Sequence, residues 1–268
     1  MGLKEFFASH PVFTTQDLAK YRSENGSESR WTRKALLAHH RKQGHLVLVR
    51  RGLYAVVPSG ADPEAYAVDQ YLLASKMTDD AVIAYHTALE LYGKAYAVFE
   101  EFFYLSRKPA QPVTFRSQRF RGVLFPKALR DKGKEEYGVK AVDRSGVDIR
   151  VTSLERTLVD VLDRPDLGGG WEEIWRSLEL VEFFDLDTVV EYALMLDNAT
   201  TTAKVGYFLD QHREQLMVED AHLKPLKKRR PKQPHYMERN GRGEGRLVSE
   251  WNLVVPAYVA ARAWEAAR

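Results

Sequence analysis

The chain has 268 residues, of which 44% are hydrophobic and 29% charged, and it contains no cysteine. Such a length supports a sizeable core in one large or two modest domains, and the composition is that of an ordinary globular protein. The absence of cysteine excludes disulfides and any zinc site or nucleophile built on a thiol, and it suits a cytoplasmic location. No apolar run approaches the roughly 18 residues of a membrane span, and "MGLKEFFASHP" lacks the apolar centre of a signal peptide, so no membrane association is expected.

Charge is distributed unevenly. Residues 1–60 hold ten Lys/Arg against four Asp/Glu, residues 61–223 hold 19 against 29, and residues 224–246 hold nine against two. A basic head and a basic segment flanking an acidic middle point to a polyanionic partner for the head.

In chain order, Leu3 to Ser9 reads as a short amphipathic helix stopped by Pro11. "FTTQDLAKYRSE" opens a second helix at a threonine cap, Thr14 or Thr15, and "NGSE" is a turn. "SRWTRKALLAHHRKQG" is a third helix, capped by Ser29 and stopped by Gly44. On a wheel advancing about 100° per residue, Trp31, Ala35, Leu36, Ala38 and His39 share one arc. Arg30, Arg33, Lys34, Leu37, His40 and Arg41 share the other. The first arc is expected to pack and the second to present cations. "HLVLV" and "LYAVV" then form two strands joined at Arg50, Arg51 and Gly52. Side chains alternate along a strand, so one of the two arginines must leave the core.

Three helices followed by a small hairpin predict a winged helix-turn-helix over residues 1–60. Its expected DNA contacts are Arg30, Thr32, Arg33, Lys34 and Arg41 on the recognition helix, with Arg50 and Arg51 at the wing tip. Arginine and lysine suit both phosphate neutralisation and the reading of guanine edges.

Residues 61–268 are expected to form a larger mixed α/β domain, giving an α+β protein. "DPEAYAVDQYLLASKM" reads as a helix capped by Asp62, and "AVIAYHTALELYG" as a helix ended by Gly93. His86 in the latter is expected to be packed or hydrogen-bonded, with no metal-ligand spacing around it. Short β-prone runs broken by Pro and Gly suggest a sheet over roughly 98–152. "TSLERTLVDVL" carries a capping signal at Thr152 or Ser153. "DLGGGWEEIW" reads as a loop entering a helix, since it lacks the Lys and Ser/Thr of a phosphate-binding loop. Further helices are expected near 187–196 and 199–210, and a closing strand at "WNLVV", which contains Asn252. The segment from about 224 to 246 is expected to be a basic loop, in which Lys227, Lys228, Arg229 and Arg230 form a secondary nucleic-acid contact.

The ordered series "FTTQDLA", "GHLVLVRRGLYAV", "YHTALELYG", "TSLERTLVDVLDRPDLGGGWEEIWRSL", "AKVGYFLDQ" and "SEWNLVVP" resembles the AbiEi family of bacterial antitoxins, and it spans nearly the whole chain. The basic stretch "KPLKKRRPK" departs from that pattern. The resemblance implies a winged helix binding inverted repeats in the chain's own promoter, and a C-terminal domain that counters a nucleotidyltransferase-like toxin encoded next door. It places the chain among regulators of type IV toxin–antitoxin and abortive-infection operons. No catalytic residue, metal or cofactor is expected. The alternatives are a metal-dependent DNA-processing enzyme built on Asp148, Glu155 and Asp160, whose spacing lacks the usual Asp…Glu-x-Lys pattern, and a stand-alone ligand-sensing regulator.

Overall fold

The computed structural model describes residues 3–24, 30–238 and 245–265, with the side chains of Arg30 and Trp31 outside the description. The Ser29 cap, the turn at 25–28 and positions 239–244 of the basic segment therefore lie outside the described residues. The fold is mixed α+β. It divides into two compact units, residues 1–83, 100–123 and 141–151 forming one, and residues 84–99, 124–140 and 152–268 the other. The expected head over 1–60 thus shares its unit with the sheet.

The first unit begins with α1 (Leu3–Ser9), β1 (Val12–Thr14), α2 (Thr15–Glu24), α3 (Arg30–Lys42), β2 (Leu46–Arg50) and β3 (Leu53–Val56). Thr14 caps α2. Its hydroxyl accepts from the Asp17 N–H at 3.1 Å, while the Asp17 carboxylate accepts from the Thr14 N–H at 2.8 Å. This reciprocal pair satisfies two donors of the first turn. β1 was not foreseen from the sequence. It pairs antiparallel with β3, which pairs antiparallel with β2, so β3 is central. Phe6, Phe13, Leu18, Leu37 and Leu46 form the buried cluster beneath these strands.

The unit continues with α4 (Gln70–Ser75), β4 (Val82–Ile83), β5 (Glu101–Ser106), β6 (Val113–Phe115), β7 (Gln118–Leu124), β8 (Val139–Arg144) and β9 (Val147–Thr152). The last six form one sheet in the order β6-β7-β5-β4-β9-β8. β4 runs antiparallel to β5 and parallel to β9, with Ile83 opposite Val151. Two sequence expectations are corrected here. The helix expected from Asp62 starts only at Gln70, because Asp69 accepts the N–H groups of Tyr71 and Leu72 while Asp62 caps a turn. The helix expected over 81–93 opens instead as strand β4, and the chain turns at Tyr85, whose φ of 57° is incompatible with a continuous helix.

The second unit is mostly helical, with α5 (His86–Leu91), α6 (Lys127–Lys132), α7 (Leu154–Asp163), α8 (Trp171–Glu179), α9 (Leu186–Met195), α10 (Ala199–Gln211) and α11 (Asp220–Arg229). A small sheet of β10 (His235–Tyr236), β11 (Gly245–Val248) and β12 (Leu253–Pro256) follows, then α12 (Ala257–Ala260). β12 is central in that sheet, parallel to β10 and antiparallel to β11. Ser153 caps α7, as the sequence suggested. The expected basic loop is corrected at its start: residues 220–229 are helical, because Glu219 and His222 form a capping box and Leu223 and Leu226 are buried.

The core of this unit holds a charged pair. Arg156 and Asp160 lie 3.3 Å apart, both buried, and Tyr192 donates to Asp160 at 2.6 Å. Arg156 also donates to the carbonyls of Glu135 at 2.8 Å and Tyr137 at 2.6 Å. Burial pushes the Asp160 carboxyl up to about 6, against the pull of Arg156. Nearby in the chain, α10 is buried along most of its length, and Gly206 meets the face of Trp251. A Cβ at Gly206 would lie 2.1 Å from that indole ring, well inside contact distance. Gly206→Ala is therefore expected to destabilise the protein by about 1–3 kcal/mol or more, through overpacking against a fully buried ring. Urea denaturation of the variant and the parent measures it.

Candidate nucleic-acid interface

Among the described side chains of α3, Leu37 is the buried one, 4% exposed. Its neighbours one turn away, Arg33 and His40, are half-buried, and His40 meets the edge of Phe7 with ring centroids 5.2 Å apart. Thr32, Lys34, Ala35, Ala38, His39, Arg41 and Lys42 are exposed. The wheel read from sequence is thus corrected. Leu37 packs instead of facing outward, and Ala35, Ala38 and His39 face solvent instead of packing. Of the expected contacts on this helix, Thr32, Lys34 and Arg41 lie exposed, Arg33 sits on the inner flank, and the Arg30 side chain is outside the described residues. Lys42 and His39 were missed. The signal that finds them is the leucine partnered by Phe13 and Leu46, which outweighs a wheel set on Trp31.

The exposed side of α3 carries Lys34, Arg41 and Lys42, and the helix itself contains no acidic residue. Burial lowers the pKa of His40, and the neighbouring His45 and His39 lower it further.

The two arginines of the hairpin separate in role. Arg50 turns back, its guanidinium donating to the Met77 carbonyl at 2.6 Å and the Arg51 carbonyl at 3.3 Å. Arg51 is exposed at the turn, beside Gly52 with φ of 85°. The Gly52 carbonyl accepts from the Thr15 N–H at 2.9 Å, tying the hairpin tip to the start of α2. Asp17 on that same first turn pairs with Lys76 at 3.2 Å. Burial alone would raise the Asp17 pKa, yet the Thr14 N–H and Lys76 hold it below the ordinary value.

The second basic cluster lies on the last turn of α11. A shallow groove of about 410 Å³ is lined by Asp220, Lys224, Lys227, Lys228 and Arg230. Lys227 is engaged by Glu250 and sits 5.6 Å from the centre of the Trp251 ring. Arg229 is 3.9 Å from Asp197, both largely exposed. Lys224 and Lys228 are exposed, and Arg230 is half-buried.

Of the three carboxylates considered for catalysis, Glu155 and Asp160 have basic partners. Asp148 is exposed on β9 in the first unit. Glu155, in the second, lies 3.9 Å from Lys140, and Asp160 is held by Arg156 and Tyr192. Among the described residues, no group of three or more His, Asp or Glu side chains could hold a metal ion. No described helix is long and apolar enough to cross a membrane.

His86 is fully buried, with Nε2 2.9 Å from Glu173 Oε1 and Nδ1 3.1 Å from Glu90 Oε1. Glu173 also accepts from the N–H groups of Tyr96 at 3.0 Å and Ala97 at 3.1 Å and from Ser177 at 2.7 Å. These bonds fix the loop after α5 against α8.

No protein-family model matches the chain, and no curated protein matches it. Among solved structures, it is similar to the crystal structure of the Rv2827c protein from Mycobacterium tuberculosis, with a TM-score of 0.62 over 98% of this chain and 93% of that one. The two are 19% identical, so the likeness is one of fold.

The His86 cluster makes stability depend on pH. Burial alone would lower the histidine's pKa, but the bond to Glu173 and the charge of Glu90 hold it above its ordinary 6.5. A raised histidine pKa contributes stability that is complete below about 6.5 and is lost as pH rises through the folded-state value. Urea unfolding at about pH 6 and pH 9 should show the parent weakening at the higher pH, and His86→Gln should show a smaller difference between the two.

Proposed function

We propose that residues 1–60 are a winged helix that binds double-stranded DNA, and that the chain is a cytoplasmic repressor of its own operon and an antitoxin. The observation that carries the DNA reading is the exposed side of α3, which presents Lys34, Arg41 and Lys42 on a helix without acidic residues. Its support is the element order, with α2 and α3 followed by a hairpin whose turn exposes Arg51. A helix of this kind enters the major groove, and a hairpin beside it meets the phosphates. Lysine and arginine displace condensed counterions from the duplex, which supplies affinity without regard to sequence. Contacts to base edges then select promoter inverted repeats, and the bound protein blocks transcription. The chain acts by binding, with no catalytic step and no cofactor.

The antitoxin role rests on the resemblance to the AbiEi family. In this reading the remainder of the chain counters a nucleotidyltransferase-like toxin, and the α11 cluster around Lys228 and Arg229 is a secondary contact for nucleic acid. Expression of the adjacent gene's product, with and without the full-length chain, tests the first point. The parent should restore growth, and a variant with Lys34, Lys42 and Arg51 changed to glutamate should still restore it while losing repression. Failure of the parent to rescue would remove the antitoxin role and leave DNA binding standing.

The separation of the two hairpin arginines gives a quantitative expectation for DNA titrations at several salt concentrations. Arg51→Ala should weaken binding to preferred and random duplexes alike, and reduce the slope of log affinity against log salt by about 0.9. Arg50→Ala should leave that slope unchanged and instead cost about 1 kcal/mol or more of folding stability, because it removes the bond to the Met77 carbonyl. Lys34→Ala, if Lys34 reads a base, should narrow the gap between preferred and random duplex by roughly 1–3 kcal/mol.

A further inference from the structure

The middle of α3, between Lys34 and His39, exposes two alanines, and the next long side chain on their arc, Lys42, is one turn beyond Ala38. With Leu37 set to zero and about 100° per residue, Lys34 lies near 60°, Ala38 near 100°, Lys42 near 140°, Ala35 near 160° and His39 near 200°. Ala35 and Ala38 are both exposed, flanked in angle by Lys34 and His39, with Lys42 between them in angle but four residues, about 6 Å, further along the axis than Ala38.

Alanine has no donor or acceptor, so it cannot read a base by hydrogen bonding. What it permits is close approach. A helix with its side chains is about 10–12 Å across, nearly the roughly 12 Å width of the major groove, so short side chains at the apex let the backbone sit deepest there. The apolar feature that a base pair offers in that groove is the C5-methyl of thymine. Ala35 and Ala38 are three residues apart, about 4.5 Å along the axis at 1.5 Å per residue. That is close to one base-pair step of about 3.4 Å.

We infer that Ala35 and Ala38 are specificity-determining residues that pack against thymine methyl groups on adjacent base pairs of each bound half-site. The inference rests on the DNA-binding reading above and adds which chemical group in the groove is recognised. Alanine is also the strongest helix former, which alone would favour it at these positions. The decisive measurement must therefore alter the DNA.

The experiment uses the full-length protein. A preferred duplex is first selected from a randomised pool, and each thymine in it is then replaced singly by uracil, which differs only in lacking the methyl. Affinity should fall about fourfold, the worth of one buried methyl, at one or two adjacent positions per half-site. It should be unchanged at the other thymines. In Ala35→Gly and Ala38→Gly, each checked for folding by circular dichroism, the uracil penalty should vanish at one of these positions, whereas Lys34→Ala should retain it. Should a glycine variant fail to fold, the uracil scan on the parent decides. Tolerance of uracil at every position would overturn the inference while leaving sequence-specific binding intact. So would a penalty that persists unchanged in both folded glycine variants. A pool that yields no duplex preferred over random DNA would overturn the sequence-reading function and this inference together.

Discussion

Burial of Leu37 fixes the rotation of α3, and with it every residue that the helix offers to a partner. The side chain belongs to a buried cluster that, among the described residues, holds Phe6, Phe13, Leu18, Leu37 and Leu46. A turn of the helix by one residue position would move about 100° of surface from inside to outside. Partly buried Leu3, Phe7, Tyr21, Tyr54 and Val56 pack against this cluster. It is reinforced within its unit by polar ties at its edge: Arg50 to the Met77 carbonyl, Lys76 to Asp17, and Gly52 to the Thr15 N–H. These ties withdraw Arg50 from solvent and leave Arg51 exposed at the turn.

The second unit solves a different packing problem. Its helices bury large aromatic residues, Trp175, Trp251, Tyr192 and Phe208 among them, and close approach is bought by glycine at position 206. It also buries an arginine and an aspartate, whose removal from water is costly unless each remaining donor and acceptor is met. Two backbone carbonyls and the Tyr192 hydroxyl meet much of that demand. The pair lies within α7, and the Tyr192 hydroxyl joins it to α9.

What could be read from the sequence was local. The Thr14 and Ser153 caps and the Gly44 stop are chemistry between residues a few positions apart, and the structure places them where the sequence suggested. The rotation of α3 was hidden because Leu36 and Leu37 are adjacent and fall on opposite arcs of the wheel. Only contacts with Phe13 and Leu46, distant in sequence, break that tie. The Lys/Arg run at 227–230 reads as a loop by composition, but two leucines three residues apart, Leu223 and Leu226, and a Glu–His cap outweigh Pro225 inside the helix. β1 is three residues long and exists through its pairing with β3, so it left no periodicity to detect. The positive φ of Tyr85 is likewise a demand of tertiary packing that a tyrosine does not announce. Of the candidate interface, the basic character of α3 was readable, while the residues at its apex were not.

The parallel pairing of β4 with β9 has a bearing on how the protein is made. The three-stranded sheet of the head needs nothing beyond Val56, whereas the large sheet cannot join Ile83 to Val151 until the intervening chain has been synthesised. Local contacts form early and distant strand pairs late, and a nascent chain presents its N-terminus first. The basic head can therefore take shape on the ribosome while the edge of β4 still waits for its partner, which makes the apolar strands around Val82 and Phe102 the segment most in need of protection during synthesis.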